Sequence, residues 1–174
     1  MGRAVRALMA LVVAMLALSG CAGKNPTHAA DVNGVVITEA QVDGIAQGLA
    51  NVAGTPQVPG ENRKTAASVL IRNEVGRQIG QQQGIAISDA DRQAALDSSP
   101  TVAKMAGDPL LSSFIDDYLT SELVRIQLGD EAFAAASEQI PVLLNPRYGT
   151  WNASQGMLDD VSGSLSSPAP AANA

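Results

Sequence analysis

The chain is expected to fold as a mainly α domain, helical throughout its middle, with a small two-stranded pairing of N- and C-terminal strands. Three observations predict this. Apolar residues recur at helical spacing, as in Val42, Ile45, Ala46, Leu49 and Val52. Capping residues and breakers (Thr38, Gly84, Ser88, Pro100, Pro109) divide the middle into short helices. Two stretches with strand character, Val32–Ile37 and Ile140–Leu144, flank that middle, and an antiparallel or irregular contact near Val32–Ile37 and Val142–Arg147 would satisfy backbone groups that neither satisfies alone.

The N-terminus comes before the domain. Arg3 and Arg6 precede an unbroken apolar run, Ala7 to Leu18, and then Leu18-Ser19-Gly20-Cys21. The run is too short to span a bilayer stably, and its length suits a secretory signal. Basic start, apolar run and Leu-Ser-Gly-Cys together resemble a bacterial lipoprotein signal. That class implies a diacylglycerol on the Cys21 thiol and cleavage just before it, leaving the protein lipid-anchored on the extracytoplasmic face of the cell membrane. An ordinary signal peptide with a chance cysteine is the plainer alternative. Cys21 is the single cysteine, so no internal disulfide is expected.

The 174 residues carry a net charge of −6, and without Arg3 and Arg6 it becomes −8. An acidic surface argues against nucleic acid and against attraction to anionic lipid, so membrane attachment falls to the acyl chains. Residues 1–20 read as signal, 21–30 as a tether with His28 in solvent, 31–151 as one domain, and 152–174 as a disordered tail.

Within the domain, Asn33-Gly34 interrupts Val32–Ile37 as a turn or bulge. Thr38 opens a helix, with Gln41 placed to complete a capping box and Ile37 and Val42 placed as a hydrophobic staple. A second helix is expected from about Glu61 to Gln83. Gly76 and Gly80 on its course either admit a close neighbour or are poor formers carried by packing. Gly84 ends it as an αL cap, and Ser88 starts a third helix reaching Asp97. A short helix to Ala106 follows. Asp108 as cap and Pro109 at the first position then open the strongest helix, to Leu128. Its face carries Leu111, Phe114, Ile115, Tyr118, Leu119, Glu122 and Ile126, with only Glu122 polar. Asp130 caps a further helix to about Glu138, and Pro141 favours an edge position for the last strand.

Three segments suggest a family. Asp31-Val32-Asn33-Gly34-Val35-Val36-Ile37-Thr38 resembles the opening of SurA-like chaperones and PrsA-like foldases. Val69–Val75, continuing through Gly84–Asp89, resembles their second helix and the turn after it. Asn145-Pro146-Arg147-Tyr148-Gly149-Thr150-Trp151 resembles a segment near the end of short lipoproteins of this group. The resemblance covers roughly residues 31–151. It implies a helical domain that holds unfolded or exported polypeptides. Many such proteins add a parvulin domain of roughly ninety residues, for which this chain has no room, so isomerase activity is not carried over.

No catalytic constellation is evident. His28 is the single histidine, a triad needs an ordered one, and a zinc site needs several His or Cys ligands. No metal or cofactor is expected. Asp116-Asp117 reads as solvated surface, and Asp159-Asp160 as at most a weak site for a hard cation. Arg147 is expected to fix the C-terminal strand by pairing with a carboxylate of the helical layer or a strand carbonyl. Tyr148 and Trp151 either pack as a lid or lie exposed, and packing is favoured because aromatics are scarce. The client-binding candidates are Val42, Ile45, Leu49, Met105, Phe114 and Tyr118. They are also the obvious core, and periodicity does not separate the two. The expected function is chaperone-like binding of non-native polypeptides without catalysis. An adaptor docking a folded cell-envelope partner is the alternative, and a prolyl isomerase the least favoured reading.

Overall fold

The computed structural model describes residues 25–55 and 60–159. The signal segment, Cys21, the first residues of the tether and the tail beyond Asp159 lie outside the described residues. The domain is mainly helical, with a small antiparallel sheet.

The first strand, β1 (His28–Val32), turns back into β2 (Val35–Thr38) through Asn33-Gly34. Both turn residues have positive φ, 50° and 89°, as a two-residue type I′ hairpin requires. The chain bends at a register shift between His28 and Ala30. After six helices, β3 (Val142–Leu144) pairs antiparallel with the other side of β1, Ala30 opposite Leu144 and Val32 opposite Val142. The order is β2-β1-β3. The expected pairing of the two ends is therefore present, with β1 central in a three-stranded sheet rather than in a two-stranded one.

Helix α1 (Glu39–Ala53) starts at the predicted capping box, the Thr38 hydroxyl accepting from the Gln41 N–H. Helix α2 (Gly60–Gln83) is the central helix and packs on α1, on α5 and beneath the sheet. It ends at Gly84 (φ 67°), where the Ile85 N–H returns to the Gly80 carbonyl at 2.8 Å. Helix α3 (Asp89–Asp97) has Ser88 as its cap, and α4 (Pro100–Ala106) has Ser99.

Helix α5 (Ser112–Leu128) begins three residues later than expected. The Asp108 side chain accepts from the Leu110 N–H at 2.8 Å, forming a turn, and Pro109 lies in that turn instead of opening the helix. Helix α6 (Asp130–Ser137) is preceded by Gly129 at φ 88°, so Asp130 is its first residue and not its cap.

Two boundaries also move. His28, Ala29 and Ala30 are strand, not tether, and Ala29 and Ala30 are buried. Small side chains let the central strand lie close to α2. At the other end, β4 (Thr150–Asn152) and β5 (Met157–Asp159) form a hairpin, so residues 152–159 belong to the domain and not to a tail.

The core runs continuously from the sheet's inner face (Val32, Ile37) through α1 and α2 (Val42, Ile71, Val75, Ile79) to Phe114, Val124 and Phe133. Among the described residues no helix is long and apolar enough to cross a membrane.

Candidate functional site

The apolar stripes expected to hold clients are spent on the core. Val42 is fully buried, and Ile45 and Phe114 are buried. Leu49, Met105 and Tyr118 are half-buried and packed against the same cluster. A helix in a small domain has one apolar stripe, and here α2 covers it on both α1 and α5. These six residues therefore do not form an open cleft.

The predicted anchors are brought together at the sheet. Gln78 of α2 reaches the hairpin turn: its amide donates to the Val32 carbonyl at 3.0 Å and to Glu74 at 2.7 Å, and accepts from Asn33 at 2.9 Å. Gly34 donates its N–H to the Asp31 carboxylate at 2.7 Å. At the sheet's other side, Glu39 gathers the C-terminal segment. The buried Tyr148 donates its hydroxyl to Glu39 at 2.7 Å, Arg63 pairs with Glu39 at 2.9 Å, and Arg147 approaches it at 3.6 Å. Arg147 thus meets a carboxylate of the helical layer, as expected. Burial, then the bond to Glu39, pushes the Tyr148 phenol above its ordinary value. Trp151 on β4 is half-buried against the core, with its Nε1 buried and unpartnered. His28 lies in β1 with its Nδ1 buried, not in a solvated linker.

One open feature among the described residues was missed in the sequence because it uses the segment read as tail. The β4–β5 hairpin leans on α2, held where the Leu158 N–H meets the Ser68 hydroxyl at 3.3 Å. Between them lies a cleft of about 610 Å³, with Thr65, Val69 and Arg72 on the helix side and Gln155, Met157 and Leu158 on the hairpin side. Met157 is 49% exposed. Beyond Arg72 and Gln155 lies a second hollow of about 270 Å³, against Phe133 and Ala134. Arg72 pairs with Glu122, which also binds Arg125 at 3.0 Å, and Arg125 pairs with Asp130. Desolvation lowers the Arg72 guanidinium from its ordinary value. The cleft therefore combines apolar contact, amide and hydroxyl groups, and a charge network along one side.

Among the described residues no group of three His, Cys, Asp or Glu side chains is placed to hold a metal. Asp159 accepts from the Asn152 amide at 3.1 Å, and its neighbour Asp160 lies outside the described residues. Comparison with protein-family models, curated proteins and solved structures finds no match to this chain.

Proposed function

We propose that this chain is a lipid-anchored, extracytoplasmic polypeptide-binding protein that holds unfolded or exported chains without isomerising them. The observation that carries this reading is the cleft between α2 and the β4–β5 hairpin, with Met157 half exposed at its rim. A flexible thioether adapts to varied apolar side chains, and the amide and hydroxyl groups beside it suit a backbone of any sequence. The site moves from the helix stripes to this cleft, because the stripes are buried. The anchor rests on the Leu18-Ser19-Gly20-Cys21 pattern, and the chaperone class on the resemblance of residues 31–151 to SurA-like domains. Binding would be reversible apolar contact, with no nucleotide and no metal.

The test is an aggregation assay of an unfolded secreted protein with the chain from residue 22 onward. Suppressed aggregation is expected, weakened by Met157→Asp. Equal aggregation with and without the chain overturns the reading. A single folded envelope protein recovered in stoichiometric amount, with no unfolded chains, would instead make it an adaptor.

A further inference from the structure

The sheet stops at β2, but the helical layer beneath it does not. One groove is lined by Val35, Val36 and Ile37 of β2, by Leu70 and Glu74 of α2, and by Asp117 of α5. The helices thus carry a floor past the last strand, where a further strand has support. The ladder fixes what β2 offers there. The Asn33 N–H donates to the Pro141 carbonyl at 2.8 Å, and the Asn145 N–H to the Ala29 carbonyl at 2.9 Å. Ala29, Asp31 and Asn33 therefore face β3, and Ala30 and Val32 face β2. Their partners Ile37 and Val35 hold the ladder, while Val36, opposite Asp31, turns its N–H and C=O outward. The neighbouring outward donors are taken, the Gly34 N–H by Asp31 at 2.7 Å and the Thr38 N–H by Gln41 at 2.8 Å. Val36 thus offers one complete donor and acceptor pair between two closed positions, which sets the register of any strand added there. Val35 and Val36 are both exposed.

We propose that the β2 edge takes an extended segment of a foreign polypeptide as a fourth strand, one that sets a basic side chain over Asp117. Helix α2 runs against β2: Arg63 near its start pairs with Glu39, just after β2, and Gln78 near its end bonds Asn33, just before it. Leu70 therefore lies toward the Ile37 end of the groove, and Glu74 with its neighbour Asp117 toward the Val35 end. Glu74 is already held by Arg77 at 2.8 Å and by Gln78 at 2.7 Å. No hydrogen bond reaches the Asp117 carboxylate among the described residues, and Asp116 lies beside it. Three acids against Arg77 leave the groove negative. In an added strand, the residues on either side of the Val36 pair point into the groove, as Val35 and Ile37 do. For an antiparallel strand the first meets Ile37 and Leu70 and suits an apolar side chain. The second, two residues on, meets Val35 and Asp117 and suits Lys or Arg. The chain's own C-terminal residues do not fit, because no Lys or Arg follows Arg147. A second copy fits no better, since two-fold pairing at Val36 would bring two acidic grooves together. This edge and the cleft at the β4–β5 hairpin share no lining residue, so each is tested without the other.

The test titrates the full chain in detergent into two labelled, end-capped peptides, Thr-Val-Thr-Lys-Thr and Thr-Val-Thr-Glu-Thr. Fluorescence anisotropy gives the affinities, and the shift of the Val36 amide in NMR locates the peptide. The Lys peptide should bind about fivefold more tightly, as expected when one exposed charge pair changes from unfavourable to favourable. Asp117→Lys should reverse that preference, a result that unfolding does not produce. Val36→Pro deletes the outward N–H and keeps the β1 ladder bonds, so it should abolish binding. Met157→Asp should change neither affinity. Equal binding of the two peptides, binding of neither, a preference that survives Asp117→Lys, or undiminished binding in Val36→Pro overturns the proposal. Loss of the preference in Met157→Asp would assign the peptide to the hairpin cleft and end it. A Val36 shift that appears on concentrating the chain alone would give the edge to a second copy, with the same consequence.

Discussion

Gly76 and Ser121 meet where α2 crosses α5, with no space between them for a side-chain carbon. A Cβ on Gly76 would lie 2.7 Å from Ser121 Cβ and 3.0 Å from its Cα. The Ser121 hydroxyl already donates to the Arg72 carbonyl at 3.2 Å, so the serine is held in place. The glycine is there for closeness, at the expense of helix propensity.

Gly76→Ala should therefore destabilise the domain. The helix gains about 1 kcal/mol from alanine, but overpacking a core costs about 1–3 kcal/mol and occasionally more, and the backbone contact at 3.0 Å puts this site at the upper end. Chemical denaturation should show a net loss of about 1–3 kcal/mol. A gain in stability would mean that the helices part freely.

Gln78→Ala removes the link between α2 and the hairpin turn. Gln78 is 7% exposed, and its loss leaves the buried Val32 carbonyl without that donor. A loss of about 1–3 kcal/mol is expected. Amide exchange in β2 should quicken, because the turn loses its attachment.

Tyr148→Phe deletes the hydroxyl that donates to Glu39. A hydrogen bond to a charged acceptor contributes about 1.5–3 kcal/mol. Arg63 remains on Glu39 in the variant, so the lower end, about 1.5–2 kcal/mol, is expected. Glu39→Gln in the Tyr148→Phe background should then cost less than it does alone, which a double-mutant cycle measures.

Val42→Ala separates core from binding face. Val42 is fully buried, so the truncation should cost about 2 kcal/mol of stability, as other core deletions do. Binding of an unfolded polypeptide by the folded fraction should be unchanged. A selective loss of binding at unchanged stability would restore the helix stripe as the contact surface.

Asp117 supplies a pH dependence of known sign. Desolvation, followed by the nearby carboxylates of Asp116 and Glu74, holds its carboxyl above the ordinary 3.8, against the pull of Arg77. The folded state therefore binds this proton more tightly than the unfolded chain does. The group's contribution is most favourable below pH 3.8 and is lost as pH rises through the folded value. Asp117→Asn should raise the thermal midpoint at pH 7 and flatten the curve over that window. A lower midpoint at pH 7 would contradict it.

Local signals carried most of the fold. Thr38 with Gln41 and Ser88 with Asp91 are three residues apart, and Gly84 needs only its own helix, so each was legible without tertiary knowledge. The start of β1 was not: Ala29 and Ala30 have no β preference, and their strand exists because α2 and β3 lie against it. Pro109 has the composition of a helix start, yet the Asp108 side chain captured the Leu110 N–H and held a turn. The β4–β5 hairpin uses strands of three residues, too short for alternation to register, and the cleft was hidden with it. The helix stripes misled for a different reason. A buried stripe and a binding stripe have the same period, and what covers α1 and α5 is decided by helices distant in sequence.

The pairing of Ala30–Val32 with Val142–Leu144 joins segments separated by over a hundred residues. While the chain is being made, the opening hairpin is born with its inner strand bare on one flank, and it stays so until the final quarter arrives. Strand β3 is the latch on that flank. Products cut short before Val142 should remain unlatched and fall to proteases, whereas a chain ending just after Asp159 should close normally.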